Sequence, residues 1–379
     1  MGRHGHGQGR AERGGPGGEL RHDAGSSAGL LSQDFLYVRS FFYHHAESAG
    51  RKMRDVVFLV GEELRYFGSS VLRGEQLCRL CRTLLRDKPA RFRVALDERD
   101  IADAFVIVCK QFLLTTTVEV LRGLKARGNA VYADYLDGQI EPAFVPFLDG
   151  FVSSSRGQHA FLSAAYPDKR VVHVTHHVDL RIPPLDVSHG PPRCGYFGDP
   201  GNALFRTELG GRVDFIETSA VASHEWIWRL GGYRCHYAVR SAQWWDGHKP
   251  FTKGFVAAHV GAVILIGNND AEAMHHLGDD YPFVCDTADP ASVVAALDAM
   301  QADWQSARWA RAVSAMRQLK ERIAPRLIRL ELETLFFGGD AARRAEKRRG
   351  WASMCRGPAV MVAEGRPSTN LVPSHEGKA

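Results

Sequence analysis

The chain has 379 residues, 45% of them hydrophobic and 24% charged, with a formal charge of +5. Those fractions suit a globular protein of about two domains and exclude collagen-like, coiled-coil and wholly disordered classes. No run of about 18 apolar residues occurs, so no transmembrane helix is predicted. Met1–Leu30 is a low-complexity leader without the apolar core of a secretory signal, and the chain is expected to stay in the cytoplasm. From there short apolar runs alternate with amphipathic stretches. Asp55–Val60 (DVVFLV) reads as a strand. Val71–Leu85 reads as a helix through Leu72, Leu77, Leu80 and Leu84. Ala104–Cys109 and Asn129–Tyr135 are further strands, with a helix over Thr117–Ala126 between them that Arg127-Gly128 ends. A short helix over Ile140–Phe147, a strand at Gly150–Ser153, a helix over Gln158–Ala165 and a strand at Arg170–Thr175 complete a first βα series.

Ile182-Pro183-Pro184 and Gly190-Pro191-Pro192 then bracket a turn-rich stretch that reads as an inter-domain linker. The alternation resumes with strands at Cys194–Phe197, Val213–Ile216, His236–Val239, Ala262–Ile266 and Pro282–Cys285. Helices are predicted over Thr252–His259, Ala271–Leu277 and Ala291–Met300, and a long one over Trp304–Ile323. Pro325 breaks it, and Arg326–Phe337 starts again. Strands alternating with helices imply parallel sheets, so the chain reads as α/β, two Rossmann-like domains in tandem closed by C-terminal helices that cross back. The expected divisions are a leader at 1–30, a first domain at 31–180, a second at 181–302, crossing helices at 303–338 and a basic tail at 339–379.

Seven cysteines, an odd number in a chain without a secretory signal, argue against a disulfide framework. Cys78 and Cys81 form a C-x-x-C with no second pair to complete a zinc site, and they fall inside a predicted buried helix. Arg343, Arg344, Lys347, Arg348, Arg349 and Arg356 gather near the C-terminus; such a cluster suits an anionic membrane surface, or is simply a solvated helix end. Nothing reads as a DNA- or RNA-binding motif.

In open parallel sheets ligands bind beyond the carboxyl ends of the strands. There the strand Cys194–Phe197 runs into Gly198-Asp199-Pro200-Gly201-Asn202, where glycine lets backbone approach a phosphate. The strand at His236–Val239 ends at Arg240, and a loop leads to Lys249-Pro250-Phe251-Thr252-Lys253 at a helix start. Basic side chains beside a helix N-terminus suit a diphosphate, by charge and dipole together. A solvent-facing basic loop is the bland alternative. His173-x-x-His176-His177-x-Asp179, at the end of a first-domain strand, offers bases near neutral pH, buried structural histidines or, less well, metal ligands. Alternation along its strand puts His173 on the buried side. Gly61-Glu62-Glu63 and Lys110 follow other first-domain strands.

Residues Asp55–Met300 resemble a GT-B glycosyltransferase, and the second half is similar to the nucleotide-sugar-binding domain of the group-1 type. The resemblance rests on Lys249-Pro250-Phe251-Thr252-Lys253, then the small-residue helix Phe255–Val260, then Gly261 and the strand Ala262–Ile266. His176-His177-Val178-Asp179 falls at the family's inter-domain turn, and Trp304–Phe337 matches its kinked crossing helix. The resemblance implies transfer of a sugar from a nucleotide-sugar donor to a saccharide, lipid-linked or small-molecule acceptor. It implies no metal and no cofactor besides the donor itself. Gly198, Arg240, Lys249, Lys253 and Asn268 would meet the donor. Many retaining members carry two Glu residues separated by seven others, where this chain has His248 and Val256; Glu272 would act in their stead. His176, His177, Asp179 and Glu62 are the candidates for chemistry on the acceptor. An epimerase of the same shape, or a binding protein that kept the fold without turnover, are the rival readings.

Overall fold

A computed structural model describes residues 53–185, 187, 192–218, 224–240 and 248–338. The leader at 1–30 and the tail at 339–379 with its basic cluster lie outside the described residues, as does much of the Gly190-Pro191-Pro192 turn.

The first sheet has six parallel strands in the order β2-β1-β3-β4-β5-β6. They are β1 (Arg54–Leu59), β2 (Ala90–Ala95), β3 (Phe105–Cys109), β4 (Ala130–Asp134), β5 (Gly150–Ser153) and β6 (Arg170–His173). The central β3 (FVIVC) is buried at every residue, as a strand covered on both faces must be. Strand β2 was not foreseen. Its apolar residues alternate with Arg91 and Arg93, which reach Asp55 on β1 at 3.2 and 3.1 Å, so this edge strand lacks the apolar run of its neighbours. The predicted helix over Val71–Leu85 is observed as a π-helical stretch, Ser70–Gln76, running into α1 (Leu77–Leu84). Cys78 and Cys81 are buried in α1, and burial pushes the Cys78 thiol up to about 11. Helices α2 (Lys110–Thr115), α3 (Val118–Ala126) and α4 (Arg156–Ala165) follow. Thr117 and Ser155 cap α3 and α4 by accepting the amides of Val120 and Gln158. The predicted helix over Ile140–Phe147 is a 3-10 segment, Pro142–Phe147.

The second sheet has five strands, also parallel, in the order β11-β10-β9-β7-β8. They are β7 (Cys194–Phe197), β8 (Val213–Ile216), β9 (Cys235–Tyr237), β10 (Val263–Gly267) and β11 (Val284–Cys285). Between and after them lie α5 (Glu225–Arg229), α6 (Thr252–Val260), α7 (Ala271–Leu277), α8 (Pro290–Ala302) and α9 (Ala307–Arg322). Relative to its own first strand, each sheet runs 2-1-3-4-5, the first continuing to a sixth strand. The order therefore reverses at β1/β3 and at β7/β9. Such switch points open a crevice at the carboxyl ends of the strands.

Residues 325–338 are helical (α10), with Pro325 in its first turn after a break at Ala324. The two last helices serve different lobes. Trp309, Ala312, Met316 and Leu319 of α9 belong to the second-lobe core, whereas Ile328, Leu332, Leu335 and Phe336 of α10 are buried against the first sheet. The chain therefore crosses back, as expected. Burying four such side chains contributes roughly 1.5–3 kcal/mol each. Arg54 and Arg170 donate to the carbonyls of Phe336, Leu335 and Thr334, at the helix end where cations are favoured. No helix among the described residues is long and apolar enough to cross a membrane.

Candidate functional site

The β7/β9 switch point carries a cavity of about 220 Å³. Its charged wall comes from the second lobe: Arg240 beyond β9, Lys249 before α6, Lys253 in the first turn of α6 and Asp270 before α7. Leu136 and Asp137, beyond β4, close it from the first lobe.

The local chemistry explains how Lys253 comes to sit there. In Phe251-Thr252-Lys253-Gly254 the Phe251 ring lies over Gly254, where a Cβ would fall 2.0 Å from a ring carbon. Glycine at 254 thus lets the ring pack onto the helix that carries Lys253. The ammonium rests 4.7 Å above the Tyr196 ring, a cation–π contact. Across from it is Gly198, whose φ of +154° suits glycine, and a Cβ there would stand 2.9 Å from Lys253 Nζ. The turn after β7 is fixed by Asp199, which accepts the amide of Gly201 at 2.9 Å, and by the Tyr196 hydroxyl, which donates to the Asp199 carbonyl at 2.9 Å.

Burial, reinforced by the charges of Arg240 and Lys249, lowers the Lys253 pKa to about 8, against the pull of Asp199 and Asp270. Burial is the larger part of that shift, and the two cationic neighbours add to it. Arg240 is paired with Asp270 at 3.1 Å, and Asp270 also caps α7 through the Ala273 amide at 3.0 Å. An anion entering the cavity would be met by three cations already gathered, with little reorganisation left to make.

Of the residues picked from sequence, the structure brings Arg240, Lys249 and Lys253 to this cavity and Gly198 to its edge. The others stand elsewhere. Asn268 is exposed and turns toward Asp286 and Thr287 beyond β11. Glu272 is buried between the lobes. Both its oxygens accept the Arg156 amide at the start of α4, 3.1 Å each, and His276 Nε2 lies 3.4 Å away. Burial alone would raise its pKa, but hydrogen bonds from His276 and Arg156 outweigh that and hold it low. Glu272 therefore ties α7 to α4, and at 6% exposure it stands outside the cavity lining. His248 packs against the Phe161 ring at 4.6 Å with the planes tilted by 31°, and its carbonyl accepts from Ser155 Oγ at 2.7 Å.

The acceptor-side candidates divide as well. Glu62 is an exposed carboxylate 3.7 Å from Arg65 and outside the cavity lining. His176 and His177 are buried, at 2% exposure each, and His173 is half-buried, the reverse of the expectation from strand alternation. The chain leaves β6 before His176, so the strand's alternation no longer applies there. Burial, with the Arg73 charge nearby, lowers the His176 pKa to about 4, and His177 lies well below its ordinary value. Asp179 accepts from Gln76 at 2.7 Å and is gripped by Arg181 at 2.5 Å. Burial favours its neutral form, yet these hydrogen bonds hold its pKa low. A base so engaged has no open face for a substrate hydroxyl, so this cluster holds the turn between the lobes.

Tyr196, Asp270 and Asp137 were missed from sequence. Asp270 could have been found as the capping residue after the Val263–Gly267 strand; Asp137 had only its place beyond β4 as a signal.

No protein-family model matches the chain, and no curated protein matches it either. Solved structures do resemble it in fold. HepE of Anabaena, in complex with UDP and glucose, is 9% identical, with 76% of this chain and 100% of that one covered and a TM-score of 0.47. A glycosyltransferase of Rickettsia africae is 7% identical, with 75% and 98% covered and a TM-score of 0.49. The T4 phage β-glucosyltransferase in complex with UDP-glucose is 8% identical, with 74% and 99% covered and a TM-score of 0.49. At identities this low the chemistry has to be read from the side chains.

Proposed function

We propose that this protein transfers a sugar from a nucleotide-sugar donor, with the donor diphosphate in the cavity at the β7/β9 switch point. The observation that carries the reading is the convergence of Arg240, Lys249 and Lys253 there, with Lys253 depressed to about 8 by burial and its two cationic neighbours. Glycosyl transfer passes through an oxocarbenium-like state while charge collects on the leaving diphosphate. Fixed cations aimed at that charge stabilise the transition state more than the ground state. These side chains supply that compensation without recourse to a metal. The acceptor is a saccharide, a lipid-linked sugar or a small molecule; the Arg343–Arg356 cluster, outside the described residues, would suit a lipid-linked one.

The test is calorimetry with UDP, GDP and ADP on the wild type and on Lys253→Ala. A charge-assisted hydrogen bond is worth roughly 1.5–3 kcal/mol, so the variant should bind about 10–100-fold more weakly. The pH dependence sharpens it. An anion beside Lys253 favours its charged form, so binding is strongest below pH 8 and weakens as pH rises through it, by up to about tenfold per unit. A site in which no diphosphate binds would sink the reading. A donor that binds and is never turned over would instead favour the non-catalytic alternative, which the occupied His248 and Val256 at the family's Glu places favour.

A further inference from the structure

We infer that Asp137 takes the proton from the acceptor hydroxyl, and that transfer therefore inverts the configuration at the anomeric carbon. This rests on the nucleotide-sugar reading and adds to it the base and the stereochemical course.

The turn that delivers Asp137 is tightly specified. Strand β4 ends at Asp134, fully buried, whose Oδ2 receives Arg73 Nε at 2.8 Å and whose Oδ1 receives the Leu136 amide at 3.2 Å. Leu136 has φ = +60°, a conformation that costs a non-glycine residue roughly 1–2 kcal/mol. Ser154 Oγ donates to its carbonyl at 3.2 Å. Strain of this kind persists only where surrounding contacts over-determine it, and it gathers at working sites. Here its consequence is visible: the next residue, Asp137, enters the cavity wall. Lys110 Nζ donates to Asp137 Oδ1 at 2.5 Å, which orients the carboxylate and leaves Oδ2 as the oxygen to receive a proton.

Two carboxylates line the cavity, and their positions differ. Asp270 stands on the second lobe and is paired with Arg240. Asp137 stands on the first lobe, whereas the cations that would hold the diphosphate stand on the second. A sugar whose leaving group rests on the second lobe presents its opposite face to the first. Direct displacement needs the attacking oxygen and its base on that opposite face. In the step, the acceptor oxygen forms a bond to the anomeric carbon and its proton passes to Asp137 Oδ2. The bond from that carbon to the phosphate oxygen breaks, and its electron pair leaves with the diphosphate onto Arg240, Lys249 and Lys253. His176 and His177, shut away at 2% exposure, and Glu62, outside the lining, do not reach this position.

The experiment follows the slow hydrolysis of α-linked UDP-glucose, GDP-mannose and ADP-glucose by the full chain, with water as acceptor, and reads the first-formed anomer by proton NMR. Binding of UDP, GDP and ADP is measured in parallel. The expected result is the β anomer first. Asp137→Asn should lower turnover by about 10²–10⁴-fold, the usual worth of general base catalysis, while its diphosphate affinity stays within about twofold of wild type. Asp137→Glu should recover part of the rate, and the unchanged affinity of both variants shows that they fold. The α anomer first, wild-type turnover by Asp137→Asn, or diphosphate binding by the wild type without any turnover each overturns the assignment and leaves the donor site standing. Failure of every diphosphate to bind overturns the donor reading itself, and this inference with it.

Discussion

Two clusters of charged side chains, one in each lobe, differ in the folded chain. In the first lobe Arg73 pairs with Asp134, and Gln76 and Arg181 both meet Asp179, with Gln76 also bonded to His177: each carboxylate is met by a guanidinium and by further hydrogen bonds. Arg73 and Asp134 are at 1% and 0% exposure, out of reach of bulk solvent. In the second lobe Arg240, Lys249 and Lys253 gather beside a cavity, where burial and the two cationic neighbours lower the Lys253 pKa despite the nearby Asp199 and Asp270. Charges that satisfy one another hold a fold together. Cations gathered beside a cavity are placed to meet an anion. The residue types are nearly the same; the balance of sign and the access to solvent separate the roles.

The largest expected effect tests the closed cluster. Arg73→Met removes the guanidinium and strands a buried Asp134, which should cost about 3–5 kcal/mol, read as a lower urea midpoint. An unmoved midpoint would mean that the pair is not structural. Acid gives the next largest effect. His176 is held neutral in the fold with its pKa near 4, whereas unfolded it titrates near 6.5. The unfolded chain therefore binds the extra proton between those values. Stability is full above about pH 6.5 and falls as pH drops toward 4, by on the order of 3 kcal/mol from this residue. His176→Gln should flatten that slope in denaturation curves taken at pH 7 and 4.5; an unchanged slope would mean that the fold does not hold His176 neutral.

The smallest effect belongs to the open cluster. Gly198→Ala places a methyl 2.9 Å from the Lys253 ammonium, at a φ that alanine resists. Diphosphate affinity should fall by about tenfold with a stability loss near 1 kcal/mol. Equal affinity in calorimetry would show that Lys253 swings aside freely, and the cluster would then be less preorganised than its geometry implies.

Local pattern carried much of this. The runs FVIVC and VILIG announce covered parallel strands, since only a strand buried on both faces tolerates unbroken apolar residues. Lys249 and Lys253 stood out because Pro250 and the small residues after it mark a helix start. Strand β2 was hidden because its arginines serve Asp55 on the neighbouring strand, a partner 36 and 38 residues away. Glu272 was misjudged for the same reason: its partner is the amide of Arg156, 116 residues distant.

What the sequence determined by itself is therefore whatever depends on near neighbours: the alternation of strands and helices, the breaks at proline, the caps and the basic helix start. Tertiary structure decided which charges are neutralised and which face a cavity. It buried His176 and Asp179, sent Glu272 to α4 and brought Asp137 to the cavity that Lys253 also lines. Coulomb energy, desolvation and hydrogen bonding depend on distances through space and on exclusion of water. Neither is a function of distance along the chain.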